Sequence, residues 1–518
     1  MKRPDLLVIA DPARQRRAMA SRIAWITAAA IVVLVLTVQP FSNTDVWWHL
    51  ALGRLITTSG IPAHEPFSFL PAAHVWVGQQ WLYEVTLAGL VGAGGAGLAS
   101  LVMGLAAVAA VVLATLSVPR AARISGPWLA LAMVITGVVL NSVAGVSSGV
   151  ISVLGVAIVL FIIGRWREGR TAAVWGLPPL FLLWANMDAG FAAGLLVLLA
   201  ALLLIRTPAA HASGSRRQLA AALAISAVAA LANPVGPGIY ASVLSGVFDP
   251  GVAQALAGFG SPNFHEWWAR LFEAEVVLVI VLWTVSGGPD RFSAITAFGL
   301  LIATLFAQEN LGLFAVVAAP QLAVHASRAW SVHVAPRLGR EPETTTTRHL
   351  HPVVTSVALL VMAAAMTVFL VPRLSASAAA TYQAKTYPEA AATYAGNNFP
   401  GQRLYTIDTW GGYLAYRFPT GRVVFLYDEP AVFGDSALQL YDAIDQLDPN
   451  WVHVLTSERI QHAILPSDAR EAAALHVLGW TVNCYDATSK SLVMSAPPSG
   501  TAPPESGLVI PPPGVPAC

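Results

Sequence analysis

The chain has 518 residues, of which 56% are hydrophobic and only 11% are charged. A soluble globular protein carries roughly 25% charged residues, so this composition excludes a soluble protein and indicates a polytopic membrane protein. The net charge of +1 lacks the basic excess of nucleic-acid-binding proteins, so no nucleic-acid partner is expected.

The first 22 residues are basic and precede an apolar run from Ile23 to Val38. That run is long for a signal-peptide core, and no small-residue cleavage site follows it. We therefore predict a cytoplasmic basic N-terminus over residues 1–22 and a retained first transmembrane helix.

Apolar runs long enough to span a membrane recur along the chain up to residue 372. They lie near residues 21–40, 96–117, 126–145, 147–164, 172–188, 190–206, 218–233, 272–287, 292–308, 310–327 and 351–371. Lys and Arg are concentrated in every second connection. The positive-inside rule then predicts about eleven transmembrane helices within residues 23–372, with the N-terminus inside the cell and the C-terminus outside.

Residues 79–93 fit this topology poorly. They are apolar enough for a short membrane helix, but counting them as a crossing would place the basic connections outside the cell. We predict an interfacial or half-buried helix that closes a long first external loop, residues 41–95.

The composition becomes that of a soluble protein after Arg373. Apolar runs of strand length alternate with helical patterns, which predicts an extracytoplasmic α/β domain over residues 373–495. The predicted strands are 403–407, 423–427, 452–455, 462–465, 479–484 and 491–495, and the predicted helices are 387–398, 434–446 and 467–477.

A Pro-rich tail, residues 496–518, is predicted to be disordered or extended. Cys484 and Cys518 both lie in the C-terminal part of the chain. Outside the cytoplasm they form either a disulfide or two free thiols, and the sequence leaves both open.

Asp45 is the leading candidate for a catalytic residue. It follows the first apolar run, and His49 lies four residues later, on the same face of a helix. A carboxylate there can take a proton from an acceptor hydroxyl or bind a metal ion, with His49 as its partner. The alternative is that Asp45 caps a helix over 46–58 while Trp47, Trp48 and His49 anchor the membrane interface.

Other polar residues of the same loop have two interpretations. His64, Glu65 and His74 either belong to the site or form a solvated loop tip. Glu84 lies in an apolar segment, so its burial requires a compensating partner or a site.

Further polar side chains lie at predicted outer helix ends. Asn186 and Asp188 either face Asp45 across a cleft or form a polar turn with Gly190, and Glu309 lies in a comparable turn. Arg270 is either a clamp for a lipid phosphate or an arginine that snorkels to the interface.

Several motifs together are similar to those of one known group of proteins. They are Asp45-Val-Trp-Trp-His-Leu, Gly60-Ile-Pro-Ala-His-Glu-Pro-Phe-Ser, Gln80-Trp-Leu-Tyr-Glu84, Trp184-Ala-Asn-Met-Asp-Ala-Gly190, Asn233-Pro-Val-Gly236 and Trp410-Gly-Gly-Tyr413. The chain thereby resembles a family of bacterial polytopic membrane proteins that belongs with the type-C (GT-C) glycosyltransferases of lipid-linked sugars.

This resemblance implies an essential first-loop aspartate, which maps to Asp45, and a polyprenyl-phosphate or polyprenyl-diphosphate sugar as donor. It also implies an inverting transfer and a bacterial cell-membrane location. The chain departs from the family pattern at Glu65, where relatives have Asp, at Gln80, where Glu is expected, and at Asp188, where His is expected. The first loop has no Asp-x-Asp pair, which weakens the case for a metal.

The expected function is transfer of a sugar from a polyprenyl-phosphate carrier, held in membrane lipid, to an extracytoplasmic acceptor. No Walker loop, dinucleotide fingerprint, zinc spacing or nucleophile elbow occurs in a supporting context, so a soluble nucleotide-sugar donor is not expected. No cofactor is required by the sequence, although a divalent cation (Mg²⁺ or Mn²⁺) is compatible with it. The alternatives are a catalytically silent scaffold of cell-envelope assembly and a lipid or solute transporter.

Two groups of side chains are predicted for the site. The predicted catalytic residues are Asp45, His49 and Asp188. The predicted substrate-binding residues are Arg270, Glu65, Glu84, Trp48, Asn186 and Glu309.

Overall fold

The computed structural model of the chain describes residues 12–71, 78–122, 124–142, 145–206, 212–241, 260–338, 352–497, 511–512 and 514–518. Its N-terminal helices are α1 Pro12–Thr37, α2 Val46–Ser59, α3 Trp81–Thr115, α4 Gly126–Leu140, α5 Gly149–Arg167, α6 Leu177–Trp184, α7 Phe191–Leu204, α8 Ala212–Ala229, α9 Trp267–Val285, α10 Arg291–Phe306, α11 Leu311–Ala329 and α12 Pro352–Leu374. The elements that follow are α13 Ala376–Thr386, α14 Glu389–Asn398, β1 Leu404–Thr406, α15 Asp408–Arg417, α16 Pro430–Asp445, α17 Trp451–Ser457, β2 His462–Pro466, α18 Arg470–Val477, β3 Thr481–Asp486 and β4 Ser491–Ser495.

Helices long and apolar enough to cross a membrane occur throughout the first 374 residues. Five described helical segments meet that length and composition: Arg16–Thr37, Trp81–Thr115, Gly149–Arg167, Gln308–Val334 and Val357–Leu374. Each apolar run of the sequence overlaps a helix, several of them shorter. The protein is therefore a mostly helical membrane protein, while the number of crossings and their orientation stay predictions.

The segment 79–93 continues into the next helix across a break. α3 has 35 residues, but Gly94 and Gly95 leave the helical conformation, with φ of +68° at Gly95. Glycine adopts that left-handed conformation without steric cost. The piece after the break has about 20 residues, enough to span roughly 30 Å of hydrocarbon, whereas residues 81–93 are too short to do so. The break thus lies where the sequence separates the two predicted segments.

The helix α11 lies in the middle of the bundle. It contacts α4, α9, α10, α5 and α3. Residues 311–320 are all buried. A helix that is apolar on all sides must be surrounded by protein or lipid, and here other helices surround it.

The C-terminal segment contains a four-stranded mixed sheet with the order β1-β2-β4-β3. β1 and β2 are parallel, and β4 is antiparallel to both β2 and β3. The predicted strand at 452–455 is wrong, because those residues lie in helix α17, with Val454 and Leu455 buried. The predicted strand at 423–427 is reduced to single bridges at Val424.

The end of the chain is extended along the sheet. Tyr485 of β3 forms a parallel bridge with Ala517. Cys484 and Cys518 form a disulfide, which resolves the alternatives left by the sequence. Residues 498–510 of the predicted Pro-rich tail lie outside the described residues.

Candidate active site

The segment between α1 and α3 is joined to the C-terminal part of the chain by backbone pairing. Phe69 N donates to Val424 O at 3.0 Å, and Val424 N donates to Phe67 O at 3.3 Å. On the other side of this stretch, Leu404 N donates to Val423 O at 2.8 Å. Residues 423–425 therefore lie between the first loop and strand β1, and extend the sheet into that loop.

Glu65 anchors this junction. Its carboxylate accepts hydrogen bonds from Phe67 N at 2.6 Å, Ser68 N at 2.8 Å and the Tyr427 hydroxyl at 3.0 Å, and Arg422 lies 3.9 Å away. Burial raises the pKa of Glu65, while these partners act in the opposite direction. Glu65 holds the loop against the C-terminal segment, and its predicted contact with a substrate stays a prediction.

Two glycines of helix α15 lie in close contacts, Gly412 with the start of α2 and Gly411 with the backbone of Leu426. A Cβ atom at Gly412 would lie 3.1 Å from Thr44 O and 3.2 Å from Trp48 Cδ1, and one at Gly411 would meet Leu426 O. Trp48 is 3% exposed, and its ring lies 5.6 Å from that of Tyr427. The Gly-Gly pair of the Trp410–Tyr413 motif thus allows close helix packing, and Trp48 is part of that contact.

Asp45 lies at the N-cap position of α2, but it does not act as a cap. Its backbone is in the helical region, and its side chain makes no capping hydrogen bond among the described residues. Asn43 Oδ1 accepts from Asp45 N instead, at 2.9 Å. The carboxylate is therefore left for another purpose, which disfavours the simple capping interpretation.

The Asp45 carboxyl group meets a second carboxyl group, that of Asp428. The two side chains are hydrogen-bonded to each other, and Asp428 is also hydrogen-bonded to the Thr44 side chain. Oδ1 of Asp45 and Oδ1 of Asp428 are both buried, and no donor among the described residues outside the pair reaches either atom. Burial, and then the neighbouring Asp428, raise the pKa of Asp45 well above its ordinary value.

His49 lies against Glu84 of α3. It is 3% exposed, and its Nδ1 lies 3.5 Å from Glu84 Oε1, which is also buried. Burial lowers the pKa of His49 to about 3, so the imidazole is neutral at physiological pH and the contact is not an ion pair. The hydroxyl of Tyr83 lies in the same region without a hydrogen-bond partner among the described residues.

The two polar residues that follow α6 are engaged in protein contacts. Asp188 is hydrogen-bonded to the Ser152 hydroxyl and accepts from Gly190 N. Asn186 accepts from Trp81 Nε1 at 2.7 Å and donates to Ala232 O at 2.8 Å. These bonds tie the turn after α6 to α3, to α5 and to the residues that follow α8, as expected for a polar turn. A catalytic role for Asp188 stays a prediction.

Glu309 and Arg270 are exposed. Glu309 interacts electrostatically with Asp188 and Asp428, so it borders the same region as the carboxyl pair. Arg270 Nε donates to Phe264 O at 3.3 Å, at the start of α9. His64 is exposed as well, and His74 lies outside the described residues.

The divalent cation with which the sequence is compatible has no set of three protein ligands among the described residues. In the described ranges, no three His, Cys, Asp or Glu side chains are placed to hold one metal ion together. Asp45 and Asp428 supply two neighbouring carboxyl groups, which are hydrogen-bonded to each other. A divalent cation at this pair stays a prediction.

Asp428 is the site residue that sequence reasoning missed. It follows a buried apolar stretch, Val423–Tyr427, and precedes Glu429 and Pro430. Paired acids at the end of an apolar run were the available signal. Its partner, however, is nearly 400 positions away in the chain, so the pairing itself had no local signature.

Comparisons with known proteins agree at the level of the fold. No family model matches the chain, and no curated protein sequence matches it. The oligosaccharyltransferase AglB from Archaeoglobus fulgidus, solved with an inhibitory peptide and a dolichol-phosphate, aligns with a TM-score of 0.51 and 11% identity, over 92% of this chain and 75% of that one. The oligosaccharyltransferase of the same organism tethered to an acceptor peptide with the NVT sequon aligns with 0.50 and 11% identity, over 92% and 74%.

The chain has a GT-C fold. The resemblance that the sequence motifs indicate is confirmed at that level. A mycobacterial arabinofuranosyltransferase, AftD, aligns over 92% of this chain and 40% of its own, with 16% identity and a TM-score of 0.49, which is too low to support a conclusion. At 11% identity the GT-C likeness extends to the fold and not to substrates.

Proposed function

We propose that this protein is a membrane glycosyltransferase that moves a sugar from a polyprenyl-phosphate carrier to an extracytoplasmic acceptor. The observation that carries the proposal is the Asp45 carboxyl group, which is buried at the start of α2 and makes no capping bond among the described residues. The GT-C fold supports it, because AglB, which aligns over most of this chain, was solved with a dolichol-phosphate.

In this proposal Asp45 acts as the general base. The acceptor hydroxyl oxygen attacks the anomeric carbon while its proton moves to the carboxyl oxygen. The bond between the anomeric carbon and the phosphate oxygen breaks, and its electron pair leaves with the carrier phosphate. Attack from the face opposite the phosphate inverts the anomeric centre.

The other predicted residues have supporting roles. His49, neutral and buried against α3, fixes α2 and thereby the position of Asp45. Asp188 orders the outer ends of the helices near the site. Arg270 is exposed at the start of α9, where a guanidinium can pair with a phosphate.

The transporter alternative has one observation in its favour. Glu275 of α9 is 1% exposed, within a predicted membrane span, and accepts from the Thr136 hydroxyl at 3.5 Å. Buried carboxyl groups at that depth often serve transport of protons or ions. A transporter would tolerate loss of the Asp45 carboxylate, which separates the two functions.

The decisive experiment measures transfer by purified full-length protein from a panel of radiolabelled polyprenyl-phosphate sugars. Asp45→Asn should lower the transfer rate by about 100- to 10,000-fold, because it removes the general base. Asp435→Asn, an exposed acid on α16, is the matched control and should transfer at the wild-type rate.

Two results would contradict the proposal. One is transfer by Asp45→Asn at the wild-type rate. The other is absence of transfer by the wild-type protein with every donor, which would favour a scaffold or a transporter.

A further inference from the structure

The side chain that meets Asp45 comes from the far end of the chain, and three contacts place it there. Residues 423–425 pair with 67–69, Tyr427 donates to Glu65, and the Tyr427 ring packs against Trp48. Asp428 immediately follows these anchors. Its position beside Asp45 is therefore determined by the docking of the C-terminal segment rather than by a mobile loop.

The surroundings of the two carboxyl groups are acidic or phenolic. Glu429 and Glu309 are the other charged groups that act on Asp45. The hydroxyls of Tyr83 and Tyr387 are also within electrostatic range of it. Two adjacent carboxylates in such surroundings cannot both be ionised without a large cost, so one proton stays between them.

Each carboxyl group has an oxygen that is reached by no hydrogen-bond donor other than the neighbouring acid. These atoms are Oδ1 of Asp45 and Oδ1 of Asp428, and both are buried. Buried polar atoms in native proteins are nearly always hydrogen-bonded, so a proton held between the two carboxyl groups accounts for oxygens that no other protein donor reaches.

We propose that Asp428 is a positioning residue for Asp45, and that the two side chains act as one acid–base unit that holds a single proton. This inference rests on the proposed glycosyl transfer. In the resting pair Asp45 holds the proton and donates it to Asp428. This proton passes to Asp428 as the carboxyl oxygen of Asp45 accepts the proton of the acceptor hydroxyl. The unit, now carrying two protons, then releases one to water.

The pair has a consequence for stability that needs no substrate. Burial raises the pKa of both acids in the folded protein above their value in the unfolded chain, and the neighbouring Asp428 raises that of Asp45 further. The folded state then binds more protons than the unfolded state, so its stability is lost as the pH rises above about 4. Asp428→Asn removes one of the two acids, so this variant should lose less stability than the wild type as the pH rises.

The first experiment measures the apparent melting temperature of the full-length protein in detergent at about pH 4.5 and about pH 7.5. At each pH the melting temperature of the wild type is subtracted from that of Asp428→Asn. This difference should be about 2–4 °C larger at the higher pH than at the lower pH. Asp45→Asn should show the same pH-dependent difference from the wild type. The double variant should show a difference no larger than that of either single variant. Asp435→Asn is the matched control and should show no pH-dependent difference.

Additive effects of the two single changes, or a difference independent of pH, would overturn the shared proton. Asp428→Glu keeps a carboxyl group and serves as a second variant if Asp428→Asn does not fold. It should follow the pH dependence of the wild-type protein.

The second experiment measures the pH profile of sugar transfer. Without a neighbouring acid Asp45 becomes more acidic, so Asp428→Asn should move the acidic limb of the profile down by about one pH unit or more, with a lower maximal rate. Asp428→Glu should leave the limb in place.

A lower rate with an unchanged limb would assign Asp428 to packing alone and contradict the inference. If the wild-type protein transfers none of the sugars, the proposed function fails. The melting experiment still decides whether the two acids share a proton.

Discussion

Burial decides the charge of the histidine nearest the candidate site. From the sequence, His49 is a plausible partner of Asp45, since the two lie one helical turn apart. In the structure the imidazole stacks on Trp48, with ring centroids 3.6 Å apart, and faces Glu84 of α3. Its pKa falls to about 3 because the charged form would lose its hydration.

This burial predicts a pH dependence of stability. The unfolded chain takes up a proton at His49 below about pH 6.5 while the folded protein does not, so stability is lost as the pH falls from that value. Between about pH 7 and about pH 5 the loss amounts to about 2 kcal/mol. His49→Gln should remove this part of the acid sensitivity, measured as the apparent melting temperature at both pH values.

The exposed His453 provides the control. His453→Gln should keep the wild-type difference between the two pH values. An acid sensitivity of His49→Gln equal to that of the wild-type protein would show that the imidazole is hydrated in the folded state.

At the scale of elements, the position of Asp45 depends on how closely α2 approaches α3. Gly53 makes the approach possible, because a Cβ atom there would meet the backbone oxygen of Glu84 and lie 3.0 Å from Ala88 Cβ. Gly89, on α3, has open space around it. The close packing of α2 and α3 therefore requires a glycine at position 53 but not at position 89.

Gly53→Ala should push α2 away from α3 and destabilise the fold by about 1–3 kcal/mol. Gly89→Ala should be neutral or stabilising by up to about 1 kcal/mol, because alanine favours a helix. Thermal unfolding followed by circular dichroism in detergent compares the two. Equal melting temperatures would mean that α2 and α3 are not in close contact at Gly53.

At the scale of the whole molecule, the first loop and the C-terminal sheet share one hydrophobic core. Trp47 of α2 and Leu87 of α3 belong to the same buried cluster as Tyr405 of β1 and Val493 of β4. The Trp47 ring makes edge contacts with Tyr387 and with other aromatic side chains of the C-terminal segment. The candidate site therefore exists only when both ends of the chain are folded together.

The disulfide offers a test of where the C-terminal part is located. Cys484 and Cys518 are 34 residues apart and bonded, a state that persists in oxidising compartments. We expect that a thiol-reactive maleimide labels the denatured protein only after reduction. Removing the bond by Cys518→Ser should destabilise this part of the chain by about 3–4 kcal/mol. Labelling of two thiols without reductant would argue against an extracytoplasmic location.

Local properties of the amino-acid sequence were sufficient to predict the membrane class and the approximate positions of the helices, and they singled out Asp45 as a candidate. Apolar length and charge are local properties, so a single chain reveals them. It also indicated most of the strands, but it misassigned 452–455, where short apolar runs fit a buried helix as well as a strand.

The surroundings of Asp45 could not be predicted without the three-dimensional structure. The pairing with Asp428, the docking through Glu65 and Tyr427, and the neutral state of His49 all depend on contacts between residues far apart in the chain. Hydrogen bonds and desolvation act through space, and no periodicity in the sequence records them. The same carboxylate is a helix cap or one half of an acid pair according to what the fold brings beside it.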